Sequence, residues 1–177
     1  MSATLPDLQQ YVGKEFGPFH SWDPVNAPMI RHWCEAMGDT NPIYTSDQAA
    51  QAVEHQQLVA PPTMLQAWSM VGYAGERAPG SSSGSAFAVL EVLEAAGYPG
   101  VVAVNCEQEY EQYLQPGDEI YYKAELESIS AEKTTALGTG FFATEKSTFY
   151  NQRDELVGTM RFRVFKYRPG SRENADG

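Results

Sequence analysis

The loop "GDTNPIY", residues 38–44, contains the side chains of this sequence that are best suited to proton-transfer chemistry. Asp39 offers a carboxylate, and Tyr44 offers a phenol in the same loop. A positioned carboxylate can act as a general acid or base, whereas a phenol with a pKa of about 10 keeps its proton at neutral pH and is a poor base. Asp39 can also be a turn residue that stabilises the end of the preceding helix. Both interpretations stay open at this point.

A short helix is predicted directly before this loop. Asn26 can cap its start, Pro28 suits its first turn, and Gly38 suits the position after its end. The helix has one apolar stripe with helical spacing, formed by Ile30, Trp33, Cys34 and Met37. A helical turn capped by Ser46 or Asp47 is predicted next.

A second helical segment, "APPTMLQAWSMVGY", has hardly any polar face after its two prolines. A helix that is apolar nearly all round is a buried helix. We therefore predict that this segment is the central helix of the fold, with Met64, Leu65 and Trp68 among its apolar residues. A further short helix is predicted at "AFAVLEVLEAAG".

From residue 100 onwards the apolar residues recur with a period of two, which is typical of strands. Strands are predicted at "VVAVNCEQEY", at "IYYKAELE", at "KTTALGTGFFATEKSTFY" and at "LVGTMRFRVFKYR". A short strand near "KEFGPF" precedes the helices. This order predicts an α+β fold in which an antiparallel sheet wraps around one central helix.

Length and charge limit the classes of function. The 177 residues suit a single domain, and the net charge of -11 argues against a nucleic-acid or membrane partner. The sequence has no apolar run of about 20 residues and no signal-peptide pattern at its start, so we expect a cytoplasmic protein. The two cysteines and three histidines show no metal-ligand spacing, and we expect neither a metal site nor a cofactor.

Four segments together resemble the MaoC-like, or (R)-specific, enoyl-CoA hydratases and dehydratases: "YVGKEFGPFHSW", "MIRHWCEAMGDTNPIY", "LVAPPTMLQAW" and "YEQYLQPGDEI". The resemblance covers residues 10–168 and leaves residues 1–9 and 169–177 as tails, the latter expected to be flexible. It implies a single hotdog domain, in which a curved antiparallel sheet surrounds a buried helix. It also implies that the substrate is a coenzyme A thioester.

The same resemblance implies a degenerate catalytic site. Hydration of an enoyl thioester needs a base for the water, an acid for the α-carbon and donors for the enolate oxygen, which the family supplies with an Asp-x4-His pair and an amide at the start of the buried helix. Asp39 and Asn41 match the family's loop, but Tyr44 stands in the position of the histidine. The sequence "PPT" replaces a His-Gly pair, and because Pro62 has no N–H, the Thr63 amide remains as the candidate donor.

Five residues are candidates for substrate binding under this resemblance. Arg161 and Arg163 could face the phosphates of coenzyme A, although alternating charge on a strand is more often a solvated face. Met64 and Trp68, together with Tyr44, could line the acyl cleft. Apolar residues on a central helix are equally typical of a core.

More narrowly, "DPVNAPMIRHWCEAMGDTNPIY", "VAPPTMLQAWSM" and "GYPGVVAVNCEQEYEQYLQPGD" are similar to the MaoC domain of the larger subunit of the heteromeric steroid side-chain enoyl-CoA hydratases. In that system a smaller MaoC-like subunit carries the catalytic pair, and a DUF35 domain of the larger subunit engages a thiolase-like aldolase. The present sequence ends at "KYRPGSRENADG", before such a domain. The resemblance therefore implies a bulky acyl-CoA substrate, a small catalytic partner subunit and, where the further domain is present, an association with an aldolase.

Two alternatives remain from the sequence. One is a self-sufficient homodimeric hydratase or thioesterase that uses Asp39, with Tyr44 as an acid in the hydratase. The other is an acyl-CoA-binding module without catalysis. In each case we expect association, with the interface near residues 100–113, because a lone hotdog domain leaves a sheet edge uncovered.

Overall fold

The computed structural model describes residues 7–170, and an antiparallel sheet forms the body of the fold. Its six strands are β1 (Glu15–His20), β2 (Gly100–Tyr110), β3 (Ile120–Ile129), β4 (Lys133–Thr135), β5 (Gly138–Asn151) and β6 (Leu156–Pro169). The strand order is β1-β3-β5-β6-β2, and β4 pairs with β5. The predicted α+β fold with one antiparallel sheet is confirmed.

Helices cover one face of this sheet, which we call the inner face. The α-helices are α1 (Ala27–Met37), α2 (Asp47–Gln51) and α3 (Ala88–Ala95), and the 3-10 helices are Leu8–Tyr11, Pro42–Tyr44 and Pro62–Ser69.

The predicted caps of α1 are confirmed. The Asn26 side chain accepts a hydrogen bond from the Met29 N–H, and Gly38 ends the helix with a left-handed backbone, φ 67°.

The central helix, Pro62–Ser69, is shorter and more tightly wound than predicted. It is a 3-10 helix of eight residues, and Met70 directly after it has an extended backbone. The expected long buried helix through residue 73 is therefore wrong. Gly72 and Gly75 follow in the next six residues, and glycine makes continued helix costly in conformational entropy. The apolar side chain of Met70 is 64% exposed instead of buried.

The core on the inner face of the sheet divides into two large clusters and a small third one of Phe19, Ala86 and Ala124. In the first, the central helix and α1 pack over Phe149 and Met160. In the second, α3 packs over Phe141 and Val164. Between the residues that β5 contributes to these two large clusters lie Glu145 and Ser147, which line the cleft described below.

The packed part of the chain includes residues that the sequence assigned to a tail. Leu8 is buried in the second cluster and starts the first 3-10 helix, so the packing begins before residue 10. At the other end β6 extends to Pro169. Residues 1–6 and 171–177 lie outside the described residues, and the expectation of a flexible C-terminal tail stays a prediction.

The segment "KTTALGTGFFATEKSTFY" was predicted as one strand, but the chain turns back after Thr135 and forms both β4 and β5. The glycines at the start of β5 allow two backbones to approach closely. A Cβ atom on Gly140 would lie 2.1 Å from the carbonyl oxygen of Lys166 on β6. Glycine is therefore required at this position for steric reasons.

Strand β2 forms an open edge of the sheet. Within residues 7–170 it pairs with β6 only, and most of its eleven residues are exposed. The exposed side chains include four large apolar ones, Val101, Val102, Val104 and Tyr110. An edge strand with this composition can pair with another chain.

Candidate functional site

The loop after α1 is held by hydrogen bonds from its own side chains. Asp39 Oδ1 accepts from the Asn41 N–H at 3.0 Å, and Asn41 Oδ1 accepts from the Ile43 N–H at 3.3 Å. Asp39 and Asn41 thus have the structural role that turn residues commonly have. Asp39 is exposed, and within residues 7–170 its Oδ2 atom accepts no hydrogen bond. One carboxylate oxygen therefore remains available for chemistry.

Tyr44 lies beneath this loop and is only 9% exposed. It packs in the first core cluster. Burial raises the pKa of its hydroxyl, and the neighbouring Tyr113 and Asp39 raise it further, while Asn41 opposes them. The phenol therefore keeps its proton at neutral pH and cannot serve as the base that a histidine would supply.

Thr63 lies near the start of the central helix, a few residues after a hydrogen bond that joins this segment to the loop 38–44. The Val59 N–H donates to the Ile43 carbonyl at 3.1 Å, which joins the loop to the segment leading into the helix. Thr63 is exposed, and within the described chain its N–H has no acceptor. The first amides of a helix are free to bind an anionic oxygen. The geometry thus agrees with Thr63 as a donor but leaves its catalytic role a prediction.

Met64 and Trp68 face the core. Both are buried in the first cluster, and neither lines the cleft. The core interpretation is therefore favoured for this pair. The Trp68 Nε1–H is buried and has no acceptor among residues 7–170. The residues of the same segment that do line the cleft are Gln66, Ser69, Met70 and Val71.

Arg161 and Arg163 lie on the outer face of β6, because they alternate with Met160 and Phe162, which face the core. The Arg161 Nε atom is 2.8 Å from Glu127 Oε1, and the Arg163 guanidinium lies 4.8 Å from the centre of the Phe142 ring. The arginines and the cleft therefore lie on opposite faces of the sheet. This placement favours the solvated-face alternative over binding of coenzyme A phosphates within this chain's own cleft.

A cleft of about 380 Å³ opens beyond the end of the central helix, over the inner face of the sheet. Its wall combines apolar and polar side chains. The apolar ones are Met70, Val71, Tyr122, Phe149 and Met160, and the polar ones include Gln66, Ser69, Arg77, Glu145 and Ser147. A cleft with several convergent polar groups is the usual form of a small-molecule site.

Glu145 is the ionisable group at the floor of this cleft. Burial raises the pKa of its carboxyl group, and the hydrogen bond from Ser147 and the charge of Arg77 only partly offset that rise. The Ser147 hydroxyl donates to Glu145 Oε1 at 3.0 Å. Glu145 was missed in the sequence analysis. The signal for it was its position on the inner face of β5, between Ala143 and Phe149, where an apolar residue is expected.

The described part of the chain shows no group of three or more metal-ligating side chains. Within residues 7–170, none of the helices is long and apolar enough to cross a membrane.

A curved antiparallel sheet, a short central helix, and a carboxylate loop tied to the start of that helix together define a hotdog-fold protein of the hydratase and dehydratase class. The chain belongs to the family described as "FAS1-like, dehydratase domain region", whose family model matches residues 10–160. The resemblance to MaoC-like hydratases and dehydratases is confirmed.

Two relatives are almost half identical to this chain over the aligned region. The "Probable enoyl-CoA hydratase alpha subunit" of Thermomonospora curvata is 46% identical over 170 residues, which are 96% of this chain and 53% of the relative. The "3-oxo-4,17-pregnadiene-20-carboxyl-CoA hydratase alpha subunit" of Mycobacterium tuberculosis is 45% identical over 170 residues, 93% of this chain and 53% of that protein. The chain thus spans about half the length of these relatives.

Solved structures agree with this assignment. A chain of the ChsH1-ChsH2 complex from Mycobacterium tuberculosis superposes with a TM-score of 0.81 at 42% identity, covering 88% of this chain and 85% of that one. A MaoC-like dehydratase from Rhodospirillum rubrum superposes with a TM-score of 0.59 at 20% identity, covering 90% of this chain and 94% of that chain. The second match supports the fold alone, and the hotdog fold is confirmed.

Proposed function

We propose that this chain is the substrate-accommodating subunit of a heteromeric enoyl-CoA hydratase, in which a small MaoC-like partner subunit supplies the Asp/His pair. The observation that carries the proposal is the buried Tyr44, which keeps its proton at the position of the family's base. A loop with Asp39 in place but without the histidine lacks half of the family's catalytic pair, so we expect little activation of water by this chain alone. The relatives named as alpha subunits support a role within a complex.

The proposed substrate is a coenzyme A thioester with a bulky α,β-unsaturated acyl group. The central helix ends at Ser69, and the space beyond it is a cleft of about 380 Å³. A longer helix would fill this space with side chains. The Mycobacterium tuberculosis relative is named for a 3-oxo-4,17-pregnadiene-20-carboxyl-CoA, and we extend a ring-bearing, steroid-type substrate to this chain. Hydration of such a thioester requires no cofactor.

In the proposed reaction the partner's base takes a proton from water while the oxygen adds to the β-carbon. A proton is then delivered to the α-carbon, and the enolate oxygen is stabilised by hydrogen-bond donors. This chain contributes the walls of the acyl cleft. The Thr63 N–H, which has no acceptor within the described residues, is its candidate donor for the thioester oxygen.

Reconstitution with a small MaoC-like protein that has an intact Asp-x4-His loop tests the proposal. We expect the chain alone to hydrate neither crotonyl-CoA nor a ring-bearing enoyl-CoA at an appreciable rate, and the mixture to hydrate the ring-bearing thioester. Turnover by the chain alone at about 10 s⁻¹, the typical value for enzymes, would contradict the proposal. Tight acyl-CoA binding without turnover in the mixture would favour a binding module instead.

An association with an aldolase and a cytoplasmic location stay predictions. Pull-down of a thiolase-like aldolase by this chain in complex with its small MaoC-like partner would test the first. Capture would support the association, and no capture would limit the association to relatives that carry a DUF35 domain, as the resemblance implies.

A further inference from the structure

The floor of the acyl cleft contains a carboxylate whose presence the fold itself does not require. On the neighbouring strands, Leu126 and Phe162 pair directly with Glu145. Both are apolar and face the core clusters. An apolar residue at position 145 would extend the contact between the two clusters, which Phe162 already joins, whereas burying a carboxylate among such neighbours costs free energy.

Glu145 lacks the partner that usually accompanies a buried charge. Within residues 7–170 it takes part in no ion pair, and its hydrogen bond comes from Ser147, which is 1% exposed. Arg77 lines the same cleft, but its Nη1–H donates to the Ser82 carbonyl at 2.7 Å and its guanidinium lies 4.1 Å from the centre of the Phe19 ring. The carboxylate and the guanidinium thus both border the cleft without contacting each other.

We propose that Glu145, Ser147 and Arg77 form a polar subsite that binds a hydroxyl or ketone oxygen at the end of the acyl group remote from the thioester. The inference rests on the proposed function, because it assumes that an acyl group occupies the cleft. A hydroxyl would donate to Glu145 and accept from Arg77. A ketone would accept from Arg77, because the single hydroxyl proton of Ser147 is donated to Glu145.

The length of the central helix agrees with this assignment. The candidate thioester donor, Thr63, is near the start of the helix, and Met70, at the cleft, follows its end. Seven residues of 3-10 helix rise by about 14 Å, at about 2.0 Å each. An acyl group must be long and ring-bearing to reach from one to the other, and a short chain such as crotonyl would leave the subsite empty.

The test measures binding of three saturated thioesters to the chain in complex with its small MaoC-like partner. The probes are coenzyme A thioesters of tetracyclic carboxylic acids that share one ring skeleton and carry a ketone, a hydroxyl or hydrogen on the most remote ring carbon. Titration calorimetry should give dissociation constants at least roughly tenfold lower for the ketone or the hydroxyl than for the hydrogen analogue. Equal affinities for all three probes would overturn the inference, and the two oxygenated probes show which oxygen is preferred.

Two variants and a matched control assign the preference to the subsite. Glu145→Leu should abolish the preference and bind the hydrogen analogue as well as, or better than, the unmodified chain. Ser147→Ala should reduce the preference, and it keeps the test decisive if Glu145→Leu does not fold. Glu125→Leu, a half-buried glutamate on the outer face of β3, should leave the preference intact. An unchanged preference in both subsite variants would contradict the assignment.

Failure of this inference and failure of the proposed function give different results. If the complex hydrates the unsaturated ring-bearing thioesters with equal kcat/KM whether or not an oxygen is present, the subsite is wrong and the hydratase proposal stands. If the oxygen preference in binding is found but no thioester is hydrated, the subsite stands and the hydratase proposal fails.

Discussion

In the loop 38–44, Asp39 retains a structural role, while Tyr44 lacks the proton chemistry of the family's histidine. The Asp39 carboxylate still organises the turn through the Asn41 N–H, so the shape of the loop does not depend on a catalytic role. Tyr44 fills a core position and keeps its proton. A loop of this kind can be retained for packing after its base has been lost, and it remains open to repair.

Tyr44→His should restore a base next to Asp39. We expect the purified variant to hydrate enoyl-CoA measurably faster than the unmodified chain, with an upper limit of roughly 10²–10⁴-fold for one positioned general base. The rate is best measured with crotonyl-CoA and with a ring-bearing enoyl-CoA.

Asp39→Asn in the same background is the control for this repair. An asparagine oxygen can still accept from the Asn41 N–H, so the turn should survive while the charge is lost. We expect the gain to disappear in the double variant. If Tyr44→His folds normally by circular dichroism but gains no activity with either substrate, Asp39 is only a turn residue.

Glu145 should make the stability of the chain depend on pH. Its pKa in the folded state is raised above the ordinary value of 4.5, mainly by burial. At pH values between the ordinary pKa and the raised one, a larger fraction of folded chains than of unfolded chains carries the proton on Glu145. The stability that this group contributes is therefore fully present below the ordinary value and is lost as the pH rises through the raised value. Arg77 and the Tyr122 phenol are the charged and titratable groups that face the same cleft.

Glu145→Gln removes this titration. The melting temperature of the variant minus that of the unmodified chain should increase as the pH rises from about 4, and then become constant. Melting curves across this range check the prediction, with Glu125→Gln as the control for the loss of one carboxylate from the sheet. A difference that stays constant over the whole range would be inconsistent with a raised pKa.

For individual residues, the sequence predicted local roles better than roles that depend on long-range packing. Asn26, Gly38 and the turn at Asp39 act on atoms within a few positions, so their types reveal what they do. Arg161 and Glu145 depend on which face of the sheet they occupy and on which strand lies beside them. Those relations are fixed by strand pairing, which spacing along one strand does not determine.

Among the secondary-structure elements, α1 and most strands followed their sequence patterns, whereas the central helix and the segment that forms β4 and β5 did not. The apolar segment was predicted as a helix through residue 73, but the helix ends at Ser69. An apolar side chain can lie in the core or in the wall of a ligand cleft, and the composition of the segment does not distinguish the two. Met64 and Met70 illustrate the difference, because the first is buried in the core and the second lines the cleft.

Strands β5 and β6 depend on a close backbone contact at Gly140. Gly140→Ala should destabilise the chain by about 3 kcal/mol, at the upper end of overpacking effects, because its Cβ would lie 2.1 Å from the Lys166 carbonyl oxygen. Gly72→Ala is the control, since nothing lies within 4 Å of a Cβ at that position. Urea unfolding should separate the two variants, and equal midpoints would show that β5 and β6 can move apart at no cost.

For the molecule as a whole, the exposed edge strand β2 is the expected place of association. Val102→Lys should weaken assembly with the partner subunit, or self-association in its absence, because it puts a charge at an edge that must pair. Leu137→Lys replaces another exposed apolar residue, in the turn between β4 and β5, and should leave assembly unchanged. Light scattering coupled to gel filtration measures the difference. Equal assembly by both variants would place the interface elsewhere.

The open edge at β2 also has a consequence for synthesis in the cell. Free chains expose a long edge strand whose first half is apolar and which can pair with the same strand of another copy, so unassembled chains are expected to be prone to aggregate. Under the proposed heteromeric assembly, the amount of complex would be set by the scarcer of the two polypeptides, and overproducing this chain alone would lower its soluble fraction instead of giving more complex. Coupled translation of both genes from one message would keep their dosage matched.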